Sequence, residues 1–451
     1  MRDISDKFYY SFALLILGML VATVMFTEAM LTPALPIIQA EFGVSGILAS
    51  WILPVVLLVG AAVTPIIGRL GDYYGKKQVL IFCLVIYTGG VFCGGFAWDI
   101  YSLLFFRAMQ GLGLGVFPLA YALVMEQFPE EKVPTAIGTI AATFGAGTFL
   151  GVFIGSWITS VAGWRMTYHV MSPVVLLLVA ATVIILRPSP RHIHGKIDFL
   201  GAFALSATLL GLILALSSGG QDGWESPHLM PFVAITLISG AVFIWREKTS
   251  RDPVINPALL RQRSVCLVNL LSFMVVLVLF MILQALPYLI ENPAGLALSE
   301  FAVGLILMPG SIADMVAGPL TGVMVRRYGV RRPLISGAVL LFSGAAVYFV
   351  GFNSISMLVL AGVLMNAGMS VELTANTIIM LHSVPEEETA AGTALIQTSQ
   401  NVGGMTGPVI TGIIISGFTA VAFGSVFLVA TVFAAMVVIM TLFVPNIKKE
   451  V

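Results

Sequence analysis

The chain has 451 residues, of which 59% are hydrophobic and only 10% are charged. Soluble domains carry about 25% charged residues, so this composition excludes a water-soluble globular protein, and it equally excludes a disordered chain. The 22 basic residues balance the 22 acidic residues, which excludes a basic nucleic-acid-binding protein. The informative property is therefore where along the chain each charge lies.

Long apolar segments with few charges recur along the whole chain. A helix needs about 20 mostly apolar residues to cross a bilayer, and we count fourteen such segments. They run, in chain order and approximately, over residues 10–36, 46–68, 78–97, 101–125, 134–161, 165–187, 198–217, 229–246, 264–288, 301–325, 333–351, 355–380, 389–416 and 420–444. The sequence thus predicts an all-α membrane protein with fourteen transmembrane helices.

The basic residues are sorted to one side of the predicted spans. If the N-terminus is cytoplasmic, 20 of the 22 Lys and Arg residues fall in inner loops or at the termini. The two exceptions are Arg107, inside span 4, and Arg165, in an outer loop. Because cytoplasmic loops carry an excess of Lys and Arg, we predict a multi-pass protein of the plasma (inner) membrane with both termini in the cytoplasm.

Two inner loops repeat each other. The loop after span 2 reads GRLGDYYGKK over residues 68–77, and the loop after span 10 reads GVMVRRYGVRR over residues 322–332. Glycines also recur on spans 5 and 13, where Gly151 corresponds to Gly407. Eight spans separate the two copies, whereas a parallel repeat of two six-span halves needs six.

This spacing predicts three segments. Residues 1–190 form an N-terminal six-helix bundle, and residues 251–451 form a C-terminal six-helix bundle. Residues 191–250 hold an inserted transmembrane hairpin, made of spans 7 and 8, with its linker.

The loop after span 2 also matches the pattern G-x-L-x-D-x-x-G-[RK]-[RK] through Gly68, Asp72, Gly75, Lys76 and Lys77. With this signature the chain resembles the major facilitator superfamily, and within it the fourteen-span drug:proton antiporter branch. The resemblance implies two six-helix major facilitator bundles plus the inserted two-helix hairpin. It also implies that these five residues form a conformational latch that stabilises the outward-open state, the alternative being an ordinary basic inner loop.

Two further motifs carry the resemblance. Span 4 has Arg107 and Gln110 in the order R-x-x-Q-G-x-G, as in the family. Span 5 is similar to the family's antiporter motif G-x-x-x-G-P-x-x-G-G, but Val152 stands in place of the proline and Ser156 in place of the last glycine. Antiport itself is therefore less strongly implied than membership of the family.

Four charged residues lie inside predicted spans, namely Glu28, Arg107, Asp314 and Glu372. Each costs about 2.5–3.5 kcal/mol at mid-bilayer, so we expect these side chains to face a central cavity or each other. Glu28 and Arg107 lie roughly 12 Å and 9 Å below the outer ends of their helices. We predict that they pair and that Glu28 is a proton-coupling carboxylate tuned by Arg107, the alternative being a structural ion pair.

The acidic residues of the C-terminal half predict a substrate site. We expect Asp314 and Glu372 to form an acidic cavity wall that attracts a cationic substrate or carries a second proton, and we assign Glu28, Gln110 and Asn376 to the same substrate site. The alternatives are a wet inner vestibule for Glu372 and helix-joining hydrogen bonds for the two amides. In the resembling family an Asp usually stands one position before Glu28, and a subset similar to the tetracycline and lincomycin exporters has Glu at this position.

The preferred function is a proton-coupled secondary transporter that exports small amphipathic, cationic drugs by alternating access. The alternative is an exporter or facilitator of an endogenous lipid or metabolite without drug:proton antiport. The chain has neither a phosphate-binding G-x-x-x-x-G-K-[ST] loop nor an H-E-x-x-H metal motif. We therefore expect no enzyme activity, no cofactor and no metal, and a monomer whose partners are substrate, protons and lipid.

Overall fold

The computed structural model describes residues 2–129, 132–189, 198–223, 225–250, 261–292, 295–384, 389–415 and 420–444. Regular structure in these residues is helical, with no strand. Eleven of the helices are long and apolar enough to cross a membrane, and Ser50–Thr64 and Leu200–Leu216 are shorter apolar helices. The predicted all-helical membrane class is confirmed.

The helices follow the predicted spans in order. The N-terminal half contains α1 (Arg2–Ala29), α2 (Leu35–Phe42), α3 (Gly46–Ala49), α4 (Pro54–Tyr74), α5 (Lys76–Gly94), α6 (Ile100–Gln110), α7 (Val116–Gln127), α8 (Val133–Ala162) and α9 (Trp164–Ile185). The inserted segment contains α10 (Phe199–Asp222) and α11 (Leu229–Thr249). The C-terminal half contains α12 (Arg263–Glu291), α13 (Glu300–Tyr328), α14 (Arg331–Gly351), α15 (Ile355–Ser383), α16 (Thr389–Ile415) and α17 (Ala420–Thr441).

Three predicted spans are interrupted helices. Span 1 continues from α1 to α2 through a 3-10 turn at Thr32–Ala34, which contains Pro33. Span 2 continues from α3 to α4 through a 3-10 turn at Ser50–Ile52. Span 4 continues from α6 to α7 through a 3-10 segment at Gly111–Gly115. Short 3-10 pieces and proline allow a helix to change direction within a membrane when neighbouring helices satisfy the freed backbone groups.

The internal repeat has a structural counterpart in helix packing. On α8, a Cβ at Gly151 would lie 2.6 Å from the carbonyl oxygen of Phe26 on α1. On α16, a Cβ at Gly407 would lie 2.6 Å from the carbonyl oxygen of Leu277 on α12. Helix α8 therefore packs closely on α1, and α16 packs closely on α12, because glycine has no side chain to keep the two backbones apart. In each predicted bundle these helices belong to the fifth and the first span.

The two loops that repeat each other in sequence also turn in the same way. Gly75 follows α4 with a φ of +95°, and Gly329 follows α13 with a φ of +78°. Only glycine adopts this left-handed region without strain. The glycine of the repeated pattern therefore makes the turn between α4 and α5 and, in the second copy, the turn between α13 and α14.

Gly151→Ala is expected to destabilise the protein, since the added methyl group would collide with the backbone of α1. Overpacking of this kind costs about 1–3 kcal/mol, and it should lower the thermal unfolding midpoint of the detergent-purified protein. Gly240→Ala on α11 is the matched control, because its Cβ would come no closer than 3.5 Å to a side chain of α10. Equal midpoints for the two variants would contradict the packing argument.

The predicted hairpin contacts helices of both predicted bundles. Helices α10 and α11 pack on each other, and α10 also contacts α4 of the N-terminal half and α16 of the C-terminal half. At its foot, Asp198 caps α10 by accepting a hydrogen bond from the backbone N–H of Gly201 at 2.9 Å. Its Oδ1 also receives one from Nε of Arg246 on α11 at 3.0 Å.

Asp198→Ala is expected to lower the stability of the protein at the start of α10 by about 1 kcal/mol, the usual cost of losing a helix N-cap. Asp198→Ser keeps a capping oxygen and removes the ion pair with Arg246, whose side chain is one-third exposed, so the lost attraction is worth about 1 kcal/mol or less. We therefore expect the thermal midpoint of Asp198→Ser to lie close to that of the wild type. A loss in Asp198→Ser as large as in Asp198→Ala would show that the ion pair dominates.

Candidate functional site

A cavity of about 90 Å³ lies between the two halves. Its walls come from α1 and α8 on one side and from α12, α13, α14 and α15 on the other, and they are mostly apolar. The lining residues are Met25, Glu28, Ala29, Thr32, Leu53, Phe144, Thr148, Val152, Leu279, Phe280, Ile282, Leu283, Leu286, Leu307, Ser311, Asp314, Tyr348, Met365, Asn366 and Met369. A mostly apolar cavity with a few converging polar groups is the usual form of a small-molecule site.

Glu28 and Arg107 lie side by side in the N-terminal half. Nη2 of Arg107 is 3.4 Å from Oε2 of Glu28, and the Arg107 side chain is completely buried. The other oxygen of Glu28, Oε1, is buried without a hydrogen-bond partner among the described residues. One oxygen of this cavity-lining carboxylate thus contacts the guanidinium, and the other is open to a further partner.

Arg107 is held by groups other than Glu28. Its Nε donates to the carbonyl oxygen of Ile52 at 3.0 Å, and its Nη1 donates to the carbonyl oxygen of Thr27 at 2.9 Å and to Oε1 of Gln110 at 3.2 Å. Gln110 in turn donates to the carbonyl oxygen of Gly90 at 3.0 Å. The guanidinium therefore stays in position even when the contact with Glu28 breaks.

Thr27, next to Glu28, is bound to a third helix. Its hydroxyl lies 2.6 Å from the Tyr87 hydroxyl of α5, and Tyr87 also donates to the carbonyl oxygen of Thr23 at 3.3 Å. This part of the site was absent from the sequence prediction. Its signal was weak, since nothing in the pattern around Tyr87 relates it to span 1.

Asp314 lines the same cavity from the C-terminal half. It lies against α8 of the N-terminal half, since a Cβ at Gly145 would be 3.3 Å from its Oδ2. The Ser370 hydroxyl of α15 donates to the Asp314 carbonyl oxygen at 3.0 Å. Ser311, one turn away on α13, also lines the cavity, and its helical spacing from Asp314 is the signal that could have predicted it.

The structure separates the other predicted substrate residues from this cavity. Gln110 is used within the Arg107 network described above. Glu372 and Asn376 are completely buried in the C-terminal half and do not line the cavity. Of the five residues predicted to bind substrate, Glu28 and Asp314 therefore share one cavity.

The described latch residues make contacts within the N-terminal half. Nζ of Lys76 forms an ion pair with Glu126 of α7 at 2.9 Å. Nζ of Lys77 donates to the carbonyl oxygens of Val183 and Leu186, at the end of α9, at 2.7 Å and 2.5 Å. These bonds join the loop after α4 to α7 and α9. The surroundings of Gly68 and of the Asp72 side chain lie outside the described residues, so the latch itself stays a prediction.

Comparison with known proteins agrees with this architecture. A profile of the Major Facilitator Superfamily matches residues 17–289 and residues 266–451. The multidrug transporter protein MdtP of Bacillus subtilis is 26% identical over 414 residues, which are 89% of this chain and 75% of that protein. The multidrug resistance protein Stp of Mycobacterium tuberculosis is 27% identical over 393 residues, which are 85% of this chain and 72% of that protein.

A solved structure has the same fold. The human organic anion transporter MFSD10 (TETRAN) superposes with a TM-score of 0.68, at 14% identity, over 95% of this chain and 98% of that chain. At this identity the likeness shows the fold alone. The family profile, which matches most of the chain, decides the family: the chain belongs to the Major Facilitator Superfamily.

Proposed function

We propose that this transporter is a member of the fourteen-span drug:proton antiporter branch and exports small amphipathic, cationic drugs by alternating access, driven by inward proton flow. In this proposal all fourteen predicted spans cross the plasma membrane and both termini lie in the cytoplasm. The long apolar helices and the inner-loop excess of Lys and Arg support this layout. The multidrug transporters among the relatives support the substrate class.

The observation that carries the proposal is the pair of carboxylates on opposite sides of one cavity. Glu28 comes from the N-terminal half and Asp314 from the C-terminal half, and the lining between them is mostly apolar. A hydrophobic cation satisfies both features, because its apolar part fits the lining and its charge attracts carboxylates. Sites of this kind lie at the interface of the two repeats, where rocking of the halves changes access.

Proton coupling follows from competition at these carboxylates. A proton on Glu28 neutralises its charge and weakens its contact with Arg107, which keeps its bonds to Ile52 and Thr27. A neutral Glu28 also attracts a cation less. Protons and cationic substrate then favour different conformations of the two halves, which is the thermodynamic requirement for exchange.

Transport by the purified protein in proteoliposomes tests this proposal. We expect an imposed pH gradient to drive accumulation of cationic dyes and antibiotics against their concentration gradients, and a protonophore to abolish it. Substrate transport that ignores the pH gradient would overturn the antiport and favour the alternative, a facilitator of an endogenous lipid or metabolite.

A further inference from the structure

Two polar side chains are buried inside the C-terminal half, away from the cavity. Glu372 and Asn376 are four residues apart on α15, so their side chains leave the same side of the helix. Both are completely buried, and neither lines the cavity that contains Glu28 and Asp314. The cavity therefore does not explain why a carboxyl and an amide occupy these positions.

Both side chains lack the hydrogen bonds that buried polar groups normally have. Oε1 and Oε2 of Glu372 and Oδ1 and Nδ2 of Asn376 have no partner among the described residues. Nearly all buried polar atoms in folded proteins are hydrogen-bonded, so an isolated pair of this kind calls for a function. Intramembrane ionisable residues are most often functional.

No described charged side chain neutralises Glu372. Glu372 takes part in none of the ion pairs between described residues. The helices that pack on α15 are α12, α13, α14 and α16. The described acidic side chain in the middle of these helices is Asp314, and their described tyrosines are Tyr288, Tyr328 and Tyr348; of these groups, Asp314 and Tyr348 line the cavity. The charged residues at their ends are Arg263, Glu291, Glu300, Arg327, Arg331 and Arg332.

The neutral acid is the form of Glu372 that fits these surroundings. An unpaired carboxylate inside a membrane is unfavourable, whereas a protonated carboxyl has one O–H donor. The side-chain oxygen of Asn376, one turn along the same helix and without a partner among the described residues, is a group that accepts hydrogen bonds from such donors. Carboxyl and amide together therefore provide what a bound proton needs.

Close helix packing encloses the carboxyl. A Cβ at Gly337 of α14 would lie 3.1 Å from Cγ of Glu372. One turn before Glu372, a Cβ at Gly368 would lie 2.3 Å from the backbone nitrogen of Leu341. Both contacts lie between α14 and α15, so the access of water to Glu372 depends on how closely these two helices pack.

We propose that Glu372, with Asn376 as its hydrogen-bond partner, is an occluded proton-binding site in the C-terminal half, separate from the cavity carboxylates. The carboxylate takes one proton from a hydronium ion, which leaves a water molecule, and the neutral acid returns the proton to water when α14 and α15 loosen. This inference rests on the proposed function, because only a proton-coupled transporter uses the site in each cycle.

Labelling with dicyclohexylcarbodiimide, which reacts with protonated carboxyls in apolar surroundings, tests the site in the purified full-length protein. Mass spectrometry should find label on Glu372 that decreases as the pH rises. Tetraphenylphosphonium, used as the probe cation, should protect Asp314 in the cavity and leave Glu372 labelled. Absence of label on Glu372 in a sample that carries label on Asp314 would overturn the proposal. If sodium chloride protects Glu372 from labelling and choline chloride does not, the site binds a metal cation instead of a proton, and the proposal is overturned.

Two amide variants on the same helix test the partner. Asn376→Leu removes the acceptor and should move the pH midpoint of Glu372 labelling. Asn366→Leu is the control, since Asn366 lines the cavity and its amide bonds to its own helix, at the Gly362 carbonyl oxygen at 2.9 Å. Equal pH midpoints of Glu372 labelling in the two variants would show that Asn376 is not part of the proton-binding site.

Proton flux separates this inference from the proposed function. In proteoliposomes, Glu372→Gln should move fewer protons per tetraphenylphosphonium than the wild type, and an unchanged ratio would overturn the role of Glu372 in transport. If the wild type itself moves no protons with the probe, the proposed function fails, while the labelling still decides whether Glu372 binds a proton.

Discussion

Glu28→Gln is expected to abolish export driven by a pH gradient while the protein remains folded. Glutamine has nearly the same shape and still accepts a hydrogen bond from Arg107, but it cannot take up or release a proton. The measurement is gradient-driven dye accumulation in proteoliposomes, together with the thermal midpoint of the purified variant. We expect accumulation at the level of protein-free liposomes and a midpoint near that of the wild type.

Glu41→Gln is the matched control for this prediction. Glu41 also pairs with an arginine, Arg165, at 2.5 Å, and it accepts a hydrogen bond from Trp164 at 2.7 Å. It lies at the end of α2 and does not line the cavity. Gradient-driven export should survive in Glu41→Gln. If it survives equally in Glu28→Gln, the contact between Glu28 and Arg107 is a structural ion pair with no part in coupling.

Arg107→Leu is expected to cause the largest loss of stability among these variants. The change leaves the buried Glu28 carboxylate without its guanidinium and removes the donors to Ile52, Thr27 and Gln110. Breaking a buried pair by removing one partner costs about 3–5 kcal/mol, because the remaining charge is uncompensated. The variant should show a much lower thermal midpoint and a reduced yield of monodisperse protein.

The double variant separates the charge from the hydrogen bonds. Glu28→Gln in the Arg107→Leu background removes the uncompensated carboxylate and should recover part of the lost stability, which a double-mutant cycle measures. Arg165→Leu is the control, since its pair with Glu41 is partly exposed and worth about 1 kcal/mol or less. An Arg107→Leu protein as stable as Arg165→Leu would contradict the central role of the guanidinium.

The proximity of Glu28 and Arg107 could be predicted because helix depth is a linear property of the sequence. Two residues at similar distances from the outer ends of their helices lie at similar depths. Opposite charges inside a bilayer are expected to pair, because an unpaired charge is unfavourable there. The structure places the two side chains in contact. Depth gave no information about Tyr87, because its contact with Thr27 depends on how far α5 is rotated towards α1.

The cavity membership of the C-terminal residues could not be predicted for the same reason. Asp314 and Glu372 are both carboxyl residues in the interior of predicted spans, yet Asp314 lines the cavity and Glu372 lies against α14. The rotation of α13 about its axis decides this for Asp314, and the rotation of α15 decides it for Glu372. That rotation is set by the close contacts of Gly337 and Gly368, which involve residues distant in the chain.

The sequence by itself determined the membrane class, the two-half repeat and the resemblance to the superfamily, because these depend on hydropathy, spacing and local turn chemistry. Gly75 and Gly329 illustrate this, since the repeated pattern marks two turns that need a positive φ. The tertiary structure alone decided which carboxylates share a cavity and which is enclosed. Those properties depend on the rotation and close approach of whole helices, and such packing is a property of pairs of surfaces that no single segment contains.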